Sequence, residues 1–192
     1  YIDKTELIYK LTHTAFVCFL SRPRRFGKSL LVSTLEAYFQ GKKHLFEGLA
    51  MERLETEWTE YPVLHMDFSR RKYTDEDKLN ELLNIQISHW EQLYGSDEKE
   101  CSFSGRFEGV IRRAYEKTGK QVVVLVDEYD SPLLDTNSDS ALQQKLRNIV
   151  RDFFSPLKSA GHYLRFLFLT GISKFSQLSI FSELNNLQNI SM

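Results

Sequence analysis

The chain has 192 residues, 42% hydrophobic and 13% aromatic, enough to bury one substantial core and too few for a second full domain. A formal net charge of -1 excludes an overall basic field for nucleic acid and an acidic excess of the kind that keeps chains disordered, so any polyanion site must be local. Two cysteines, Cys18 and Cys101, without CxxC spacing exclude a disulfide framework larger than one bridge and fit a reducing compartment, with the cytoplasm as the expected location.

The apolar runs 16–20 and 122–126 are far too short to cross a bilayer, and no membrane partner is expected. The chain opens on Tyr1 and stops at Met192 just after an apolar stretch, as expected of a piece of a longer protein. Residues 1–192 are read as one domain, truncated from that longer protein.

Four short runs rich in Val, Phe and Leu, at 16–21, 62–68, 121–127 and 163–170, have the length and composition of strands. Apolar residues at consecutive positions, rather than strict alternation, are what strands buried on both faces of a parallel sheet require.

Directly after the first run, Arg22-Pro23-Arg24-Arg25-Phe26-Gly27-Lys28-Ser29 reads as GxxxxGK[ST] with Arg22 in place of the first glycine. Gly27 lets the backbone come close to phosphate oxygens, and the amides from Phe26 to Leu30 point at them from the positive end of the following helix. Lys28 would pair with the β and γ phosphates, and Ser29 offers a hydroxyl to Mg²⁺. A bare Gly-Lys-Ser also marks ordinary helix starts; the buried strand before it and the amphipathic helix after it favour the phosphate loop. Arg22, Arg24 and Arg25 sit where polyphosphate would, although clustered loop charges are commonly solvated.

Helical stripes follow: Leu30, Leu31, Leu35, Tyr38 and Phe39 before Gly41; Leu79, Leu82, Leu83, Ile87, Trp90 and Tyr94; and Phe107, Val110, Ile111 and Ala114 before Gly119. Residues 95–104 form a polar surface loop between the second and third stripes, the segment expected to be most mobile.

The third strand ends in Val126-Asp127-Glu128, apolar residues followed by two carboxylates. Asp127, at the carboxyl end of a buried strand, is placed to hold Mg²⁺ through its water shell, and Glu128 to orient and polarise an attacking water. Asp130, just ahead of Pro132, reads as a turn residue. A fourth stripe from Leu142 to Leu157 stands behind a Ser140…Gln143 capping box. The last strand runs into Thr170-Gly171-Ile172-Ser173, where Thr170 or Ser173 could sense a γ phosphate or simply form a turn. Alternating strands and helices make a doubly wound α/β domain with right-handed crossovers.

Taken together, these segments resemble the AAA-ATPase-like family, large bacterial proteins in which such a domain commonly precedes a restriction-type nuclease-like domain. The resemblance spans nearly the whole chain and rests on Tyr1-Ile2-Asp3-Lys4-Thr5, the Leu20 to Ser29 loop, residues 62–69, Leu125 to Asp130, and Leu184-Asn185-Asn186-Leu187. It implies ATP as ligand, a bacterial source, and a three-layer P-loop NTPase of the additional-strand type with a mostly parallel sheet in core order 1-4-3-2. Arg22 is then the family's own form of the loop.

No fifth strand, lid helices or nuclease residues are placed before Met192, and no arginine finger is assigned. The expected partners are ATP, a C-terminal domain of the same protein and a possible second copy of the chain, with nucleic acid engaged only indirectly. Hydrolysis driving a neighbouring domain or subunit is the leading reading, and a nucleotide-gated module that binds without hydrolysing is the alternative. Adjacent Asp127 and Glu128 speak against a kinase, since a water-activating glutamate serves a hydrolase better.

Overall fold

The four expected strands lie side by side in parallel in the computed structural model, which describes residues 2–23 and 27–172 and the backbone of residues 187–190. β1 (Val17–Ser21), β2 (Val63–Asp67), β3 (Val122–Asp127) and β4 (Leu164–Gly171) take the order 2-3-4-1, so β4 lies between β1 and β3 as expected. Leu20 stands opposite Thr170, Val126 opposite Leu169, and Asp67 opposite Asp127, which brings the carboxyl ends of all four strands to one edge.

The expectation of no fifth strand is corrected. β5 (Leu187–Ile190) pairs in parallel with the other side of β1, Val17 opposite Leu187 and Leu20 opposite Ile190. Four residues, of which Gln188 and Asn189 are amides, carry too little β propensity to announce a strand. The pairing with β1 makes it one.

Consecutive apolar residues divide between two cores. Val122, Val124 and Val126 of β3 pack with Phe107, Phe153 and Leu83 on one face, while Val123 and Leu125 pack with Leu35, Phe39 and Phe168 on the other. α4 (Glu76–Tyr94), α5 (Phe103–Thr118) and α7 (Ser140–Phe154) cover the first face. α1 (Thr5–Thr14), α2 (Lys28–Phe39) and the short α3 (Ala50–Leu54) cover the second, completing three layers. α6 (Ser131–Asp135) is a single turn beyond the end of β3.

The helices missed in sequence are fixed by polar contacts rather than by long apolar stripes. Asp3 accepts from Thr5 N at 2.9 Å through one carboxylate oxygen and from Ala50 N at 2.7 Å through the other, while Thr5 Oγ1 accepts from Met51 N at 3.0 Å. Asp3 thus satisfies the first amide of α1 and, with Thr5, staples the helix to the start of α3. At α7 the capping box is corrected. Asp139, one residue earlier, accepts from Leu142 N at 2.9 Å, and Gln143 turns away to Leu133 O and Asn137 Oδ1. The loop at 95–104 is tied down at its start and its middle, since Arg113 donates to Gly95 O at 2.9 Å and grips Glu100 at 2.8 and 3.0 Å.

Candidate functional site

The loop that leaves β1 is anchored on the end of β4. Arg22 N donates to Gly171 O and Ser21 Oγ to Ile172 O, both at 3.1 Å. Arg24, Arg25, Phe26 and Ser173 lie outside the described residues. Gly27 has φ +76°, a left-handed conformation that side chains resist, and a Cβ built on it would meet nothing within 4 Å among the described residues. Glycine is therefore needed here for its backbone. The first bond of α2 runs from Leu31 N to Gly27 O at 3.0 Å, so the amides of Lys28, Ser29 and Leu30 have no acceptor within the helix. They form its positive end.

Ser29 and Leu30 are exposed at that end, whereas the Lys28 side chain is only 3% exposed. Its ammonium donates to Arg22 O at 2.8 Å and stands 3.4 Å from Glu128 Oε1. The phosphate loop and the end of β3 therefore meet directly through this pair.

Asp127 is 2% exposed and accepts a hydrogen bond from Thr170 Oγ1. The same hydroxyl accepts from Glu128 N at 3.0 Å. Thr170 thus braces both acidic residues from the neighbouring strand, and its fully buried hydroxyl is engaged inside the sheet edge. Glu128 itself has φ 51°, a left-handed conformation that costs a residue with a Cβ about 1–2 kcal/mol. A compact turn holds it there: Tyr129 N donates to Thr170 O at 3.1 Å, Ser131 N to Glu128 O at 2.9 Å, and Ser131 Oγ to Glu128 Oε2 at 3.3 Å. The turn directs the Glu128 carboxylate at Lys28.

Asp130 is more than the turn residue its place before Pro132 suggests. It is 1% exposed, and its Oδ2 accepts from Ile172 N at 2.8 Å across to β4. The local Asp-Ser-Pro pattern signals a turn; an acceptor role for an amide far along the chain leaves no local trace. Ser21 and Gly171 likewise act through contacts with a distant segment, whereas Ser131 acts on Glu128, three residues before it, without belonging to any recognisable motif.

Beside Gly27 and Arg22 opens a cavity of about 250 Å³ between α1 and α2. Its walls are mainly apolar, with Leu7 and Ile8 on one side and Leu30 and Leu31 on the other. Ile2, Leu7 and Leu30 are exposed large apolar residues, and all three border it.

Lys28 and Ser29 thus supply a cation and a hydroxyl at a helix start, and Asp127 and Glu128 supply two carboxylates from the adjacent strands' edge. Oxygen donors of this kind suit a hard divalent ion that keeps waters and phosphate oxygens, and the buried ammonium suits a phosphate. Parallel strands in the order 2-3-4-1, a Gly-Lys-Ser loop between β1 and α2, and a carboxylate pair at the end of β3 define a P-loop NTPase fold. The chain belongs to the AAA-ATPase-like family, whose model, described as "Predicted AAA-ATPase", matches residues 1–181.

The chain is also similar to a protein of Azotobacter chroococcum mcd 1 described as "Uncharacterized protein in vnfD 5'region", at 40% identity over 197 residues. That match covers all of this chain and 37% of the relative, so the chain spans little more than a third of the relative's length. No solved structure matches it. Among the described residues no helix is long and apolar enough to cross a membrane.

Proposed function

We propose that this domain binds ATP with Mg²⁺ at the loop between β1 and α2 and hydrolyses it, the nucleotide cycle driving a conformational change in a neighbouring domain or subunit. The observation that carries the reading is the meeting of Lys28 and Glu128, 3.4 Å apart, beside the buried Asp127–Thr170 pair. In this reading the amides of Lys28, Ser29 and Leu30 cradle the polyphosphate together with Gly27 and the loop residues Arg22, Arg24, Arg25 and Phe26. Lys28 pairs with the β and γ phosphates. Ser29 and Asp127 hold Mg²⁺, which neutralises charge on the phosphates when bound. Glu128 orients the attacking water and takes its proton, and Thr170 holds Asp127 and the Glu128 backbone in place.

The apolar cavity beside Gly27 seats the adenine ring between Leu7 and Ile8 of α1 and Leu30 and Leu31 of α2. Because the match takes in 37% of the relative's length, most of that protein lies beyond it, and a domain moved by the nucleotide cycle belongs there. A second copy of the chain is the other candidate partner.

The non-hydrolysing module has one observation in its favour: both Glu128 carboxylate oxygens are engaged, one near Lys28 and one by Ser131. Phosphate release by the full-length protein, compared with its Glu128→Gln variant, separates the two. Hydrolysis predicts release by the wild type and loss in the variant with ATP still bound. Tight binding by both proteins and release by neither would leave the gated module standing.

A further inference from the structure

The exit of β4 is held from two sides. Ser21 Oγ donates to Ile172 O from the strand that enters the phosphate loop, and Ile172 N donates to Asp130 Oδ2, at 2.8 Å, from the turn that follows Glu128. The approach is close: a Cβ on Gly171 would stand 2.7 Å from Tyr129 Cε1 and 3.0 Å from Asp130 Cγ. Only glycine lets β4 end so near that turn. A carboxylate that is 1% exposed is costly unless it accepts hydrogen bonds, and Asp130 accepts one from the strand that also braces its neighbours.

Glu128, two residues earlier, holds a left-handed backbone, which persists only where the surroundings over-determine it. Among the described residues, three bonds from the 128–130 segment reach β4 or its exit: Glu128 N to Thr170 Oγ1, Tyr129 N to Thr170 O, and the Asp130 carboxylate to Ile172 N. The last is the only one of these three that a side chain of the turn itself supplies.

The geometry points to Asp130 as a positioning residue for Glu128: its carboxylate clamps the turn after β3 onto the end of β4 and fixes the direction of the Glu128 side chain. This rests on the hydrolytic reading above. Asp130 itself makes no contact with nucleotide in this role, so its loss falls on turnover and spares binding.

The test compares Asp130→Ala, Asp130→Asn and Asp130→Glu in the full-length protein by steady-state ATP hydrolysis. Asp130→Ala is expected to lower kcat about tenfold or more with KM within about threefold, the pattern of a lost transition-state interaction. Asp130→Asn keeps an oxygen for the Ile172 amide and recovers turnover, whereas Asp130→Glu keeps the charge, misplaces it and does not. Gly171→Ala, which forces the two segments apart, reproduces the kcat loss and stands in if Asp130→Ala fails to fold.

Wild-type turnover in Asp130→Ala, or an Asp130→Asn as impaired as Asp130→Glu, overturns the clamp while leaving hydrolysis intact. If the wild type binds ATP without turnover, hydrolysis itself has failed and the clamp is judged by amide exchange of residues 128–131 with a non-hydrolysable ATP analogue bound. Exchange about tenfold faster in Asp130→Ala and unchanged in Asp130→Asn upholds it; equal exchange in all three proteins overturns it.

Discussion

Lys28 Nζ stands 3.4 Å from Glu128 Oε1, with 3% of one side chain and 15% of the other exposed. The two groups that a triphosphate and a water would each need in the proposed reaction are partnered with each other. In the proposed reading, nucleotide entering the loop draws the lysine onto its own oxygens and so frees the carboxylate. Glu128→Gln is therefore expected to bind ATP more tightly than the wild type while losing hydrolysis by roughly a hundredfold or more. Titration calorimetry and phosphate release check the two halves, and weaker binding by the variant would contradict the competition. Lys28→Ala, by contrast, removes the charge-assisted contacts and is expected to weaken ATP binding by about tenfold or more.

Thr170 serves two partners with one hydroxyl, donating to Asp127 and accepting from Glu128 N at 3.0 Å. Thr170→Val keeps the shape of the side chain but leaves a buried carboxylate and a buried amide short of a partner, which costs about 1–3 kcal/mol. Chemical denaturation is expected to show that loss, and Thr170→Ser is expected to recover most of it. A valine variant as stable as the wild type would mean that water replaces the hydroxyl.

Much of this site could be read from local pattern. Val122 to Val126 and the two carboxylates after them declare a buried parallel strand that ends in acidic residues, and Gly27-Lys28-Ser29 declares the helix start that faces it. The strand order placing β4 between β1 and β3 came from family resemblance, not from periodicity. What stayed hidden depends on contacts between distant segments. β5 becomes a strand only by pairing with β1, and α1 and α3 are fixed by the Asp3 and Thr5 cross-links. Asp139 outcompetes Ser140 as the cap because its carboxylate reaches Leu142 N, a choice that two adjacent cap-forming residues do not reveal.

The face of the sheet away from the phosphate loop helix is centred on Phe107, fully buried and stacked on Phe153 at 4.7 Å between ring centres, with Trp90 at 5.7 Å. Truncation here removes a ring that packs against Trp90 of α4 and against Phe153 and Phe154 of α7. Phe107→Ala is expected to cost about 3–5 kcal/mol of stability, whereas Phe107→Leu, which refills most of the volume, costs distinctly less. Urea midpoints of the two variants measure the difference.

Between α4 and α5, Arg106 grips Glu91 with two bonds, at 2.9 and 2.7 Å, and donates further to Asn84 and Ser88. The hydrogen bonds from Arg106, opposed by partial burial, hold the Glu91 carboxyl below its ordinary value of 4.5. A carboxyl whose pKa is lower folded than unfolded stabilises the fold above the unfolded value and loses that contribution as pH falls through the folded one. The pair should thus contribute fully at neutral pH and fade below about 4.5. Arg106→Met leaves the half-covered Glu91 without its partner and is expected to cost about 1–3 kcal/mol at pH 7. Acidification protonates Glu91 and removes the penalty, so the stabilities of variant and wild type should converge. Denaturation midpoints at about pH 7 and about pH 3 decide it, and a gap independent of pH would assign the loss to the packing of the Arg106 stem instead of to the ion pair.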